Sequence, residues 1–294
     1  EAIAAFHKAR GTPNASPERV FVGNGVSELI DISLRALLNP GEEVLVPSPD
    51  YPLWSAATIL NDGRPVYYKC DRDNGFLPDP EQIESLVSSR TRAIVLVTPN
   101  NPGGVEYPAD VLDAFRDLAR ARGLALIVDE TYRDFDSRHS FEMGGRPHDL
   151  MTDPDWSDTV IQLYSFSKAY RLTGHRVGAL IASPARMVEV EKFLDTVAIC
   201  AAQIGQIGAT WGMAHLGDWL AGERAEILAA DPTRHAVLPH MRPAAWDALL
   251  TLMREVTDGS GLILDPEADT YHMMAFALVR GPRQYENTAK LLAL

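Results

Sequence analysis

Cysteine is scarce: Cys70 and Cys200 are the two in 294 residues. Their separation gives neither a CxxC redox pair nor a metal-ligand spacing, and two cysteines cannot form a multi-bridge framework. So few thiols suit a reducing compartment, and the expected location is the cytoplasm. Positive charge is also short, with 27 Lys and Arg against 40 Asp and Glu and a net charge of −13. That balance argues against nucleic acid or an anionic membrane as partner, while leaving room for a locally basic pocket. No apolar run is long enough to span a bilayer. The nearest approach, 196–217, has no charged residue but carries Gln203, Gln206 and a GxxxG at Gly208 and Gly212. It reads as a buried helix of a soluble protein. The first ten residues form an amphipathic stretch without the character of a signal peptide. Internal repeats, low-complexity tracts and charge blocks are lacking, which excludes array folds.

What is present is alternation. Short β-branched runs at 20–22, 43–47, 65–69, 93–98, 125–129, 160–164 and 177–182 read as strands, and helical patterns occupy 27–38, 53–60, 80–88 and 108–122. Asn39-Pro40-Gly41 and Asn61-Asp62-Gly63 are turn signals. Strand–helix alternation predicts an α/β fold, a mostly parallel sheet with helices on both faces. In such sheets ligands sit beyond the carboxyl ends of the strands, so chemistry is sought just after each one. After about residue 218 the pattern loosens, and three prolines between 229 and 243 suggest a connection to a smaller unit. The expected division is 1–217 and 218–294, the second a small α+β part.

Several residues after strands have chemical potential, each with an ordinary alternative. Tyr164-Ser165-Phe166-Ser167-Lys168 follows an apolar run. Lys168 could be a surface lysine, the partner of a Ser165 nucleophile, or a Schiff-base lysine. The second reading also requires SDN and KTG elements, and neither string occurs. The third needs a phosphate cradle and an electron sink. Val22-Gly23-Asn24-Gly25-Val26-Ser27 runs from a strand into a helix, whose N-terminal N–H groups suit an anion. Glu28 stands where a dinucleotide fingerprint would need its third glycine. Asp129 closes an apolar strand and could be a structural ion-pair partner or the counter-charge of a pyridinium nitrogen. Tyr132 lies within reach of the same ring. Asn101, in Thr98-Pro99-Asn100-Asn101-Pro102-Gly103-Gly104, is a turn residue or an amide for a ring hydroxyl. Tyr51 is either core packing or a plate on a flat cofactor. Arg176 is a surface ion-pair partner or a bidentate phosphate donor.

In the order cradle, plate, amide, acid, lysine, arginine, this set resembles a fold-type I, class I/II aminotransferase from about residue 20 to 217. The strings 20–71 and 163–183 carry the resemblance, the first being closest to the alanine-aminotransferase branch. It implies pyridoxal 5'-phosphate as cofactor, an L-amino acid and a 2-oxo acid as substrates, and a homodimer. Gly25, Val26 and Ser27 would then hold the phosphate, with Ser165 and Arg176 completing its shell. Tyr51 would stack on the ring, Asn101 and Tyr132 would contact its hydroxyl, and Asp129 would pair with its nitrogen. Lys168 would form the Schiff base and move the proton. Asp129, Lys168 and Tyr132 are the expected catalytic set, with no metal.

The sequence also departs from the family pattern. Gly103 stands where threonine is usual after Asn-Pro. The usual N-terminal cover precedes the helix that begins here at Glu1, and Met273 falls where a substrate-carboxylate arginine is expected, with Arg280 nearby. Those departures imply weak substrate saturation and slow turnover. The competing functions are a lyase or decarboxylase on the same fold, and a truncated cofactor-binding module.

Overall fold

The computed structural model describes residues 1–139 and 145–230. In chain order the elements are α1 (Ala2–Ala9), β1 (Val20–Gly23), α2 (Val26–Leu37), β2 (Glu43–Ser48), α3 (Leu53–Leu60), β3 (Arg64–Asp71), β4 (Leu77–Pro78), α4 (Pro80–Leu86), β5 (Thr91–Val97), α5 (Ala109–Arg122), β6 (Ala125–Asp129), α6 (Trp156–Thr159), β7 (Val160–Ser165), β8 (Gly178–Ile181), α7 (Pro184–Val197), α8 (Gln203–His215) and α9 (Gly217–Ala230).

The central strands are continuous apolar runs because both faces of the sheet are covered. Alternate residues feed different cores. Ile94, Leu96, Leu126 and Val128 join Phe115 and Trp156 on one face. Ala93, Val95, Ala125 and Ile127 join Leu29, Ile30, Trp54 and Met187 on the other. Helix ends follow local chemistry. Asp79 accepts from the Glu81 amide at 2.9 Å with Pro80 as first helical residue of α4. Gly123, at φ +64°, closes α5 in the left-handed conformation that favours glycine.

The strand order is β1-β8-β7-β6-β5-β2-β3-β4. Strands β3, β2, β5, β6 and β7 run parallel, as expected. Strand β8 is antiparallel to both β7 and β1, which turns β1 back parallel to the central strands. The ends of β1 and β7 and the start of β8 therefore meet at one edge, where Gly178 is the Cα partner of both Gly23 and Ser165.

One expectation fails. The stretch 196–217 is not a single buried helix. Helix α7 ends at Val197, Ile199 takes a left-handed φ of +64°, and α8 starts at Gln203. The break is tied to the β1–α2 loop, where Asn24 Oδ1 accepts from the Ala202 amide at 3.2 Å. Ile204, Ile207 and Trp211 are exposed on α8, while Gly205, Ala209 and Gly212 face inward. Absence of charge signalled an apolar surface, not its burial. The division at 217/218 falls at the start of α9, and residues 231–294, with Met273 and Arg280, lie outside the described residues.

Candidate active site

Strand ends from across the sheet open onto one cavity of about 170 Å³. It is lined by Val26, Ser27, Tyr51, Asn101, Asp129, Tyr132, Ser165, Lys168 and Arg176, together with Val97, Thr131, Ser167 and Thr173. Of the ten residues singled out from sequence, nine line this cavity, and Gly25 lies against Arg176 at its edge. The sheet reverses its build direction between β2 and β5, and Tyr51 and Asn101 follow those two strands. Such a switch point is where α/β sheets leave a crevice.

The cradle is built from backbone. Gly25 caps α2 at φ +83° with no side-chain cap, leaving the first-turn amides available to an anion. A Cβ on Gly25 would lie 2.3 Å from Arg176 Nη2, so a side chain there would displace the guanidinium. A Cβ on Gly178 would lie 2.7 Å from the Val26 nitrogen, so that glycine lets β8 approach the helix start. Glu28 reaches back to the Asn24 amide at 2.6 Å and to its Nδ2 at 3.1 Å, fixing the loop. Arg176 adopts a left-handed φ of +50°, uncommon for a residue with a side chain. Its guanidinium donates to Thr173 O at 2.9 Å and Asn24 O at 3.3 Å, which holds it over the cradle.

Across the cavity, Asp129 is 3 % exposed at the end of β6. Its Oδ1 accepts from the Thr131 amide at 3.0 Å and hydroxyl at 2.6 Å, and its Oδ2 from Trp54 Nε1 at 3.3 Å. Burial pushes the carboxyl pKa up, against the lowering effect of the three hydrogen bonds. A buried carboxylate held only by neutral donors is suited to a cationic ring nitrogen. Burial, with the Asp129 charge adding to it, also raises the Tyr132 pKa, so the phenol remains a donor. Lys168 is exposed in the turn after β7, its Nζ 5.8 Å from the centre of the Tyr132 ring.

Sequence reasoning missed Trp54 and Thr131. Thr131 follows Asp129 by two residues, the spacing of a local side-chain turn. Trp54 opens α3 and meets a carboxylate 75 residues away, with no local signal. Trp54→Phe is expected to raise the Asp129 pKa further, because a donor to the charged form is lost. A carbon-13 titration of the carboxyl in cofactor-free protein checks this, and an unmoved midpoint would show that the 3.3 Å contact has no electrostatic effect. The unusual Gly103 has a local reason. Its amide donates to Asn100 Oδ1 at 2.9 Å, and a Cβ there would meet the same oxygen at 3.0 Å.

Comparison with known proteins identifies the family. The family model for aminotransferase class I and II matches residues 1–229. The glutamate-pyruvate aminotransferase AlaA of Haemophilus influenzae is 39 % identical over 183 residues, which are 62 % of this chain and 43 % of that protein. The alanine aminotransferase of Mycobacterium tuberculosis is 39 % identical over 180 residues, 60 % of this chain and 40 % of that protein. The chain thus spans less than half the length of these relatives. Among solved structures, an Escherichia coli aminotransferase superimposes with a TM-score of 0.63 at 34 % identity, covering 72 % of this chain and 52 % of that one. The alanine aminotransferase of Pyrococcus furiosus gives 0.66 at 28 %, covering 76 % and 56 %. With the match extending through the cradle, the Asp129 strand and the Lys168 turn, the chain belongs to the aminotransferase class I and II family.

Proposed function

We propose that this chain carries the cofactor-binding unit of a pyridoxal-phosphate-dependent aminotransferase that moves an amino group between an L-amino acid and a 2-oxo acid. The observation carrying the reading is the single cavity that unites an anion cradle, a buried carboxylate and a lysine. In this reading the three features would take the phosphate, ring nitrogen and reactive carbon of one flat cofactor. Family members use pyridoxal phosphate, and the donor set fits it. The names of the relatives favour alanine with pyruvate and glutamate with 2-oxoglutarate as the substrate pairs.

When bound, the cofactor supplies an electron-withdrawing ring that takes up charge from the carbon losing its proton. The protein's residues hold and tune that ring. In this reading the Val26 and Ser27 amides, the Ser27 and Ser165 hydroxyls and Arg176 hold the phosphate. Tyr51 covers one ring face, and Asn101 and Tyr132 hold the ring hydroxyl oxygen. Asp129 keeps the ring nitrogen protonated. Lys168 would carry the cofactor covalently, and its Nζ, once free, would hold and move the proton lost by the substrate α-carbon. The division into 1–217 and 218–294, a homodimer and a cytoplasmic location complete the proposal. The exposed Ile204, Ile207 and Trp211 on α8 offer an apolar face for a second copy.

The test is a donor and acceptor screen on purified protein with added cofactor. Amino transfer from alanine to 2-oxoglutarate is expected, and carbon dioxide release or elimination without transfer would instead support a lyase. Arg176→Ala should weaken cofactor binding by about 1.5–3 kcal/mol, the worth of a hydrogen bond to a charged group, or roughly ten- to a hundredfold in Kd. The spectrum of the bound cofactor should change little. Fluorescence titration reads the affinity, and an unchanged Kd would remove Arg176 from the phosphate shell.

A further inference from the structure

Next to the cavity-lining Tyr132 lies a buried cation. Arg133 directly follows Tyr132 and opens the 3-10 turn Arg133–Phe135. It is 4 % exposed. Its guanidinium carbon stands 3.7 Å from the centre of the Tyr164 ring and 4.3 Å from that of Phe6. Arg10 covers the Phe6 ring as well, at 3.6 Å. The Arg133 Nη1 lies 4.0 Å from Glu130 Oε2, and the Tyr164 hydroxyl donates to Asp134 Oδ2 at 2.5 Å. Glu130 in turn contacts His148 Nε2 at 2.8 Å.

The contacts around the Arg133 guanidinium join three segments distant in sequence. Phe6 belongs to α1. Arg133 and Asp134 belong to the segment that carries Asp129 and Tyr132. Tyr164 immediately precedes Ser165 in β7, and the turn bearing Lys168 leaves from there. A guanidinium held between two aromatic faces has little rotational freedom, and a desolvated cation–π contact is stronger than an exposed one. Arg133 cannot move without disturbing Tyr164 on one side or α1 on the other.

We propose that Arg133 is a positioning residue that clamps the Tyr132 segment to the Ser165–Lys168 turn, with Phe6 of α1 as the outer plate. The clamp sets where the Tyr132 hydroxyl meets the cofactor's ring oxygen, so this part of the proposal rests on the cofactor reading above. A hydrogen bond from Tyr132 favours the deprotonated, charged form of that ring oxygen. Loosening the clamp therefore raises the pH at which the bound cofactor changes colour.

The experiment uses the full chain and the variants Arg133→Met, Tyr132→Phe and the two combined. In cofactor-free protein, Arg133→Met should speed amide hydrogen exchange about tenfold or more in both 129–136 and 164–168, with the rest of the sheet unchanged. With cofactor bound, Tyr132→Phe should raise the midpoint of the absorbance titration by about one to two pH units, the worth of one hydrogen bond to a charged form. Arg133→Met should raise it in the same direction, and on the Tyr132→Phe background it should add nothing. A merely structural arginine would give additive shifts, and that result would overturn the proposal. So would unchanged exchange in either segment of a folded variant. If Arg133→Met fails to fold, Phe6→Leu removes the outer plate alone and is expected to give both effects at smaller size; no effect would overturn the clamp. A wild-type protein that takes up no cofactor would defeat the cofactor reading, while the exchange data would still decide the clamp.

Discussion

Lys168→Ala abolishes borohydride fixation of the cofactor to the protein and lowers amino transfer by about 10⁴-fold or more. Lys168 has two proposed roles, covalent carrier and mover of the α-proton, and general acid–base catalysis alone accounts for about 10²–10⁴. The cradle is untouched by the substitution, because its donors come from α2, Ser165 and Arg176. The variant is therefore expected to retain the cofactor non-covalently, with a changed absorption band. Peptide mapping after reduction should find the label of the wild type on Lys168. Label on another lysine, or a variant that transfers amino groups at the wild-type rate, would end the assignment.

Asp129→Asn is expected to lower transfer by about 10²–10³-fold, the usual cost of removing one preorganised electrostatic partner of a transition state. The same change should stabilise the cofactor-free protein at neutral pH. Burial raises the Asp129 pKa above its ordinary value of 3.8. The folded chain therefore favours the protonated carboxyl, and stability falls as pH rises from the unfolded pKa through the folded one. Asparagine has no charge to bury and escapes that loss. Thermal unfolding should show a higher Tm for the variant at pH 7 and a difference that shrinks below pH 4. Equal Tm at neutral pH would mean that Thr131 and Trp54 already compensate the charge. Unchanged half-reaction rates would remove Asp129 from the chemistry.

Both residues were legible because each interrupts a pattern. Asp129 is a charge closing an apolar strand, and Lys168 follows another such strand by three residues. The central strands were legible to within two residues at either end, since runs such as Ala125–Asp129 are apolar for a reason that acts locally, burial on both faces. Strand direction was less so: periodicity is the same for parallel and antiparallel neighbours, and the reversal at β8 depends on pairing with distant β1. Trp54 was invisible for a similar reason, since its contact with Asp129 is purely tertiary. Arg133 carried no signal in the sequence, because nothing nearby announces rings contributed by residues 6 and 164. The 196–217 stretch misled because composition reports what a surface is made of, not what covers it.

The reversal at β8 has a mechanical consequence. Strands β7 and β8 are antiparallel neighbours, so the chain leaves the sheet at Ser165 and re-enters opposite it at Gly178. Lys168 and Arg176 ride on that one span. The proposed grip on the reactive end of the cofactor and the proposed grip on its phosphate are thus two points on a single arch whose feet are Ser165 and Gly178. The turns that fold this span, with the Thr173 hydroxyl donating to Ser167 O at 2.8 Å and the Leu172 amide to Phe166 O at 3.2 Å, set the distance between the grips, much as the span of a caliper sets its jaws. A residue gained or lost between 168 and 176 leaves the sheet register intact and changes the size of molecule the arch can hold.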